Sequence, residues 1–372
     1  MTSLDDLRQR LDLQMQQDGD WPADSPWIRA AVAAIPRDHY TPDRVWVVEG
    51  SRWARVDRGA DPDRWAALVY ASPGNSTIAQ VRDNTSTSYV IATALVADML
   101  DHLDLEPGHR VLELGTGTGW ITALMTRRTG PDSVITLEID AELAAAARER
   151  LDHHDVPARA ENADGLAGWP AGAPYDRVVA GFAARRIPWA WIGQTRPEGL
   201  IVTPWGQGLT TLIVDEEGTS ATGWVQQATS FLPDRGTITA ARTWHQIRDN
   251  GPADHQRFFD RDIAQLQHSA HLLWALSVLL PDVWISAHSD ARGLLVTLHD
   301  GDASWALLAA PPTGGAVAFE GGPRQLADEI EEAWDAWLRA GSPDIYSFGI
   351  TVTPDQQWAW CGDPANGPWD PR

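Results

Sequence analysis

The sequence predicts an α/β protein built around a doubly wound, mostly parallel sheet. An apolar strand at residues 111–114 runs directly into the glycine-rich turn Gly115–Gly119, and a helical pattern follows at once. From Arg110 to Val214, strand candidates alternate with helical segments, which is the order that covers both faces of a parallel sheet. These strand candidates are residues 110–114, 134–138, 176–181, 199–203 and 209–214. The last two, joined through Pro204–Gly208, predict an antiparallel hairpin at the sheet edge.

The segments on either side of this core lack its strand–helix alternation. Residues 1–76 predict an N-terminal helical and irregular extension, and residues 77–215 the core, with its first helix at Ser88–Leu103. Residues 216–372 predict a smaller C-terminal α+β domain. Its elements are helices at Asp254–Leu280 and Gln325–Leu338 and strands at Leu294–Leu298, Trp305–Ala309 and Phe348–Val352.

Composition limits the classes of function. The chain has 372 residues and a formal net charge of −22, which disfavours binding to nucleic acid or to an anionic membrane. Cys361 is the single cysteine, so an intrachain disulfide cannot form, and no Cys/His spacing indicates a metal site. The acidic start is unlike a signal peptide, and no apolar stretch is long enough to span a membrane. We therefore expect a cytoplasmic protein without a metal.

The spacing of the glycine turn indicates its ligand. Its pattern is G-x-G-x-G, whereas folds that grip the pyrophosphate of NAD or FAD carry G-x-G-x-x-G. With an acidic residue just before the turn, the pattern is typical of S-adenosylmethionine (SAM) sites. The cofactor-binding residues predicted here are Glu113, Gly115, Thr116, Gly117, Thr118 and Gly119. A tight strand-to-helix connection without a ligand is the alternative.

Two later positions support a nucleoside ligand. The second core strand ends at Glu138, roughly 20 residues after the glycine turn, where an acidic residue accepts hydrogen bonds from ribose hydroxyls. The polar loop Asn162–Gly165 follows, and we expect Asp164 and Gly165 to bind the adenine.

The segment from Asn75 to Val214 resembles the protein-L-isoaspartate O-methyltransferases in more than the glycine turn. Ile201–Gly206 is similar to the strand-Pro-x-Gly motif of that family, and Asn162–Gly165 to its G-D-G loop. Thr85–Ala92 resembles its segment T-I-S-x-P-x-x-V-A. The resemblance implies a Rossmann-like, SAM-dependent carboxyl O-methyltransferase that releases S-adenosylhomocysteine.

On this alignment Ser86 matches the active-site serine of the family, and Ser88 replaces its proline. A carboxylate acceptor is ionised at neutral pH, with an unperturbed pKa of about 4, so no strong base is needed and Ser86 would orient the acceptor. Ser86 could instead cap the following helix. Asp83 and Asn84 either shape the pocket or simply form a turn. Further substrate-binding candidates are Thr85, Ser88, Arg185, Arg186 and Trp205, although the two arginines could also be solvated loop charges.

The C-terminal segment from Ile330 to Pro364 resembles methyltransferases that accompany ribosomally made peptides, beside ATP-grasp ligases (graspetide clusters) or lanthipeptide synthetases. This resemblance implies methyl-esterification of an Asp side chain in a peptide cyclised by a partner ligase or synthetase, followed by closure to an aspartimide or isoaspartate. The alternatives are a repair methyltransferase for isoaspartyl residues and a noncatalytic peptide-binding protein with a SAM fold. The complete set of cofactor-binding residues disfavours the last one.

Overall fold

The computed structural model describes residues 3–50, 52–249, 251–290 and 293–372, and the chain forms two compact units. The first unit consists of Met1–Phe182, Pro188–Thr203 and Ile213–Thr219. The second consists of Ala183–Ile187, Pro204–Leu212 and Ser220–Arg372. None of the helices in the described ranges is long and apolar enough to cross a membrane.

The N-terminal part of the first unit contains a four-stranded antiparallel sheet. Its elements are helices α1 (Leu4–Asp18), α2 (Pro26–Ala34) and α3 (Pro62–Val69) and strands β1 (Arg44–Glu49), β2 (Arg52–Asp57), β3 (Thr77–Arg82) and β4 (Thr85–Val90). The strand order is β2-β1-β3-β4. The prediction of a helical and irregular extension is therefore wrong for residues 44–49 and 52–57. Only Val45 and Val56 are fully buried in β1 and β2, and the charged residues between them weaken the apolar alternation that identifies a strand.

The segment that carries Ser86 is a strand and not the start of a helix. Asp83 and Asn84, at φ 48° and 59°, form the two-residue turn that joins β3 to β4. The next helix, α4 (Thr93–His102), begins after Ala92 without a side-chain cap. The predicted helix at 88–103 therefore starts too early, and Ser86 does not cap it. Cross-strand pairing with β3 decides the conformation of these residues.

The rest of the first unit is the predicted parallel sheet. Its elements are β5 (Val111–Leu114), α5 (Trp120–Thr129), β6 (Val134–Glu138), α6 (Ala141–His153), β7 (Arg159–Asn162), β8 (Tyr175–Ala180), α7 (Trp189–Gly193) and β9 (Thr195–Trp205). All pairs in the order β9-β8-β5-β6-β7 are parallel. The chain builds outward from β5 on one side and then on the other, so the topological switch point lies between β5 and β8. The predicted α/β fold class is confirmed; the short strand β7 was not predicted.

The second unit contains an antiparallel sheet of its own. The remaining elements are β10 (Gly208–Val214), β11 (Ala221–Ala228), α8 (Arg235–Ala240), α9 (Trp244–Arg248), β12 (His255–Phe259), α10 (Gln265–His268), α11 (Ala270–Leu279), β13 (Trp284–Asp290), β14 (Gly293–His299), β15 (Trp305–Ala310), β16 (Ala316–Gly321), α12 (Leu326–Arg339), β17 (Phe348–Val352) and β18 (Gln357–Cys361). Strands β12-β16-β15-β14-β13 form the sheet, and α11 and α12 share its apolar core.

Two predictions for this part of the chain are wrong. The single helix at 254–280 is instead β12, α10 and α11, because β12 pairs with the distant β16 and Ser269 caps a new helix at α11. The β9–β10 hairpin exists, but β10 has β11 as its other neighbour, followed by β17 and β18. The hairpin is therefore internal to its sheet and not at the edge.

Candidate active site

The glycine turn lies at the switch point, between the end of β5 and the start of α5. Gly115, Gly117 and Gly119 have φ values of +93°, +55° and +87°, in the left-handed region that favours glycine. Gly119 is the N-cap of α5, and no side chain caps this helix. The N–H groups of its first turn and the positive end of its dipole therefore face the turn without a competing side chain.

Phe182, which follows β8, packs so close to Gly115 and Gly165 that neither position has room for a larger side chain. A Cβ on Gly115 would lie 3.1 Å from the Phe182 ring, and a Cβ on Gly165 would also lie 3.1 Å from it. The carbonyl of Gly165 accepts a hydrogen bond of 2.8 Å from Trp191 Nε1. The missing side chains of Gly115 and Gly165 thus allow the Phe182 ring to pack between the glycine turn and the loop after β7. Phe182 was not predicted as a site residue, although its position directly after a core strand at the switch point could have indicated it.

Glu138 lies beside the glycine turn, as its position at the end of β6 predicts. It is 6% exposed, and its Oε2 accepts a hydrogen bond of 2.9 Å from the Gly117 N–H. Asn162 Nδ2 donates to the Glu138 carbonyl at 2.8 Å, which joins the loops after β6 and β7. Asp164 is exposed, and its carboxylate caps the short helical turn after it by accepting from the Leu166 N–H at 2.9 Å. The structure thus brings the turn and the two acidic loop residues to one edge of the sheet.

Glu113 lies beneath the turn. It is 2% exposed, and its carboxylate accepts a hydrogen bond from the hydroxyl of Thr122 in α5. Burial raises the pKa of Glu113 to about 7, although the bond from Thr122 acts in the opposite direction. Thr116 Oγ1 is 2.6 Å from Thr136 Oγ1 in β6. The hydrogen bonds of Glu113 and Thr116 therefore link the turn region to α5 and β6. Thr118 is also buried. Contacts of these three residues with a cofactor remain predictions.

Strand β4 carries the hydroxyl residues of the site. Tyr89 Oη donates a hydrogen bond of 2.7 Å to Ser86 Oγ. Ser88 is buried, and its Oγ lies 3.9 Å from the position that a Cβ on Gly117 would take. Thr85 is exposed at the start of the strand. The structure therefore places Ser88 against the glycine turn, while Ser86 is held by its own neighbour in β4.

The β3–β4 hairpin is anchored to the loop that follows Glu138. Gln80 Nε2 donates to Asp140 Oδ2 at 3.3 Å, and Arg82 pairs with Asp140 at 3.3 Å and with Glu142 at 2.7 Å. Thr87 Oγ1 donates to Gln80 Oε1 at 2.7 Å. Sequence reasoning missed these connections, because a polar residue on a strand and an acidic residue 60 positions later carry no local motif.

The remaining substrate candidates belong to the second unit. Arg185 and Arg186 are exposed, and the Trp205 ring packs edge-on against Trp274 with 5.4 Å between ring centroids. Their part in substrate binding remains a prediction. In the described portion of the chain, no group of three or more His, Cys, Asp or Glu side chains could hold a metal ion.

Comparisons with known proteins identify the family of this chain. The sequence profile of the family "Protein-L-isoaspartate(D-aspartate) O-methyltransferase (PCMT)" matches residues 65–233. Protein-L-isoaspartate O-methyltransferase 1 of Anaeromyxobacter sp. is 35% identical over 214 residues, which cover 56% of this chain and 86% of that protein. The protein-L-isoaspartate O-methyltransferase of Anaeromyxobacter dehalogenans strain 2CP-1 is 39% identical over 145 residues, covering 38% of this chain and 67% of that protein.

A solved structure of a protein-L-isoaspartate O-methyltransferase aligns over 96% of this chain and 100% of its own, with 16% identity and a TM-score of 0.48. The family assignment rests on the match to the first Anaeromyxobacter relative, because the alignment covers 86% of that protein at 35% identity. The chain therefore belongs to the protein-L-isoaspartate O-methyltransferase family of SAM-dependent carboxyl O-methyltransferases.

Proposed function

We propose that the chain binds SAM at the Gly115–Gly119 turn and methylates the side-chain carboxylate of an aspartate-derived residue in a polypeptide. The observation that supports this best is the arrangement at the switch point. An uncapped helix N-terminus, the Glu138 carboxylate and the hydroxyls of β4 belong to elements that meet around one glycine turn.

The residues present fit SAM by their chemistry. The open start of α5 suits a negatively charged group, whereas Glu138 suits hydroxyl donors such as those of a ribose. Asp164, exposed in the next loop, would meet the adenine. When bound, SAM supplies a methyl group activated by a positively charged sulfur. The residues of this chain must hold that methyl group in line with the acceptor oxygen and exclude water.

Ser86 would orient the acceptor. The Tyr89 hydroxyl already donates its proton to Ser86 Oγ at 2.7 Å, so the proton of Ser86 is free to be donated elsewhere. An acceptor carboxylate is ionised at neutral pH and needs such a donor more than it needs a base. In this proposal Ser86 contributes a hydrogen-bond donor, and the acceptor needs no proton removed.

The first substrate candidate is an isoaspartyl residue of a polypeptide, after the name that the relatives carry. The second is an Asp of a ribosomal peptide that a partner ATP-grasp ligase or lanthipeptide synthetase has cyclised. Two features favour this second candidate: the family profile ends at residue 233, before most of the second unit, and Ser88 stands where the family resemblance has proline. In either product, the backbone nitrogen of the next residue can attack the ester carbonyl, close a succinimide and release methanol.

Mass spectrometry of three peptides distinguishes the candidates. The purified protein is incubated with SAM and an isoaspartyl peptide, a linear precursor or its cyclised form. Fastest methylation of the isoaspartyl peptide supports the repair reaction. Preference for the cyclised precursor, with loss of methanol after the gain of one methyl group, supports peptide maturation. If S-adenosylhomocysteine binds but no carboxylate in the three peptides is methylated, the proposed acceptor is wrong.

A further inference from the structure

We infer that Ser88 is a cofactor-binding residue: its hydroxyl and the N-terminus of α5 together bind the carboxylate of the methionine part of SAM. This inference rests on the proposed function and deepens it. It moves Ser88, expected from the sequence to contact the substrate, to the cofactor side of the site.

The first observation is the state of the Ser88 side chain. The residue is 7% exposed, and its Oγ lies 3.9 Å from the position of a Cβ on Gly117, so the hydroxyl borders the glycine turn. Within the described part of the chain, Ser88 Oγ forms no hydrogen bond, so the hydroxyl is available to donate to a ligand group placed in the turn.

The second observation is independent of Ser88. Helix α5 is ten residues long and begins at Gly119 without a side-chain cap. The neighbouring α6 is capped by Asp140, whose Oδ1 accepts from the N–H groups of Glu142 and Leu143 at 3.0 and 3.2 Å. The free N–H groups and the dipole of α5 therefore favour an anion at this position.

A carboxylate satisfies both features, because it can accept one bond from a hydroxyl and others from backbone N–H groups. SAM has a single carboxylate, at the end of its methionine part. The acceptor substrate also has a carboxylate, but Ser86, whose proton is free, is available for it two residues earlier in β4. The proline of the family resemblance has no hydroxyl, so this contact would be a property of this chain.

Calorimetry with two ligands tests the inference. S-adenosylhomocysteine contains the amino-acid part, and 5′-methylthioadenosine lacks it. We expect Ser88→Ala to weaken binding of S-adenosylhomocysteine about tenfold, the effect of losing one hydrogen bond to a charged group, and to change 5′-methylthioadenosine binding less than about twofold. Thr87→Val is the matched control, because it removes a hydroxyl from the same strand that donates to Gln80. Its affinities should stay within about twofold of wild type.

Several results would overturn the inference. Unchanged S-adenosylhomocysteine affinity in Ser88→Ala would do so, and a raised KM for the peptide in that variant would then assign the hydroxyl to the acceptor. Equal weakening of both ligands would show that Ser88 acts only on the shape of the cleft. Ser88→Cys, which keeps the volume but is a weak donor, must reproduce the selective loss if Ser88→Ala does not fold. Wild-type protein that binds neither ligand would contradict the proposed function itself, which is a different result.

Discussion

The strand-to-helix connections after β5 and β6 begin their helices in opposite ways. After β6, Asp140 caps α6 and also pairs with Arg82 of the β3–β4 hairpin, so its carboxylate is fully used within the protein. After β5, Gly119 begins α5 at a φ of +87°, and no side chain caps the helix. We call the connection after β6 closed, because a side chain of the protein caps its helix, and the connection after β5 open, because no side chain does. The difference indicates that the open connection is kept for a ligand.

The largest expected effect is on stability, and it comes from the protonation of Glu113 beneath the open connection. Burial raises the pKa of Glu113 to about 7, above its ordinary value of 4.5. The folded state therefore holds a proton that the unfolded state releases, and this contribution to stability is complete below about pH 4.5 and is lost as the pH rises through about 7. Between these limits the contribution falls by about 3 kcal/mol. Glu113→Gln should lack this fall.

Denaturant unfolding of both proteins between pH 5 and 8 measures the difference. The free energy of unfolding of wild type should decrease with pH relative to that of the variant. Parallel pH profiles would show that Glu113 is ionised beneath the turn and that its hydrogen bond with Thr122 outweighs its burial.

Closing the open connection should abolish cofactor binding. Gly117→Val places a β-branched side chain at a φ of +55° and directs its Cβ toward Ser88 and the Tyr89 carbonyl. We expect S-adenosylhomocysteine affinity to fall about 100-fold or more. Gly108→Val is the matched control, since Gly108 has a φ of +88° and no atom within 4 Å of its Cβ position. Equal losses in calorimetry of the two variants would assign the effect to general backbone strain.

The acceptor side of the open connection depends on Ser86. Ser86→Ala removes the proposed donor to the acceptor carboxylate, and we expect kcat to fall about 100-fold. Affinity for S-adenosylhomocysteine should stay within about twofold, because Ser86 bonds to Tyr89 and not to the turn. Steady-state kinetics and calorimetry on the same preparation separate the two quantities. A variant with wild-type kcat would remove Ser86 from the reaction.

Opening the closed connection should have the smallest effect. Asp140→Ala removes the cap of α6 and the partner of Gln80 and Arg82, and we expect a loss of about 1–2 kcal/mol in the free energy of unfolding. Asp140→Asn keeps a capping oxygen but loses the charge, so it should retain most of the stability. Thermal unfolding of the three proteins compares them. If the Asn and Ala variants are equally destabilised, the charge pair matters and the cap does not.

Much of the first unit follows from short-range patterns. The turn after β5 and the acidic end of β6 are local signals, and the glycines, Glu138 and the α/β fold class are placed as predicted. The predicted family and enzyme class are confirmed. The match of Ser86 to the active-site serine of the family stays a prediction, but its alternative role as a helix cap is wrong because β4 pairs with β3. The predicted helix at 254–280 is wrong for the same kind of reason, since β12 pairs with a strand about 60 residues later.

The sequence by itself determined the open connection, because a left-handed turn favours glycine and a buried parallel strand is mostly apolar, and both are properties of a few adjacent residues. The tertiary structure decided which side chains meet that connection. Phe182 beneath two glycines, Ser88 beside Gly117, and Gln80 and Arg82 on Asp140 all join residues that are far apart in the chain. Such contacts depend on strand order and register, which pairing between distant segments sets and no local pattern encodes.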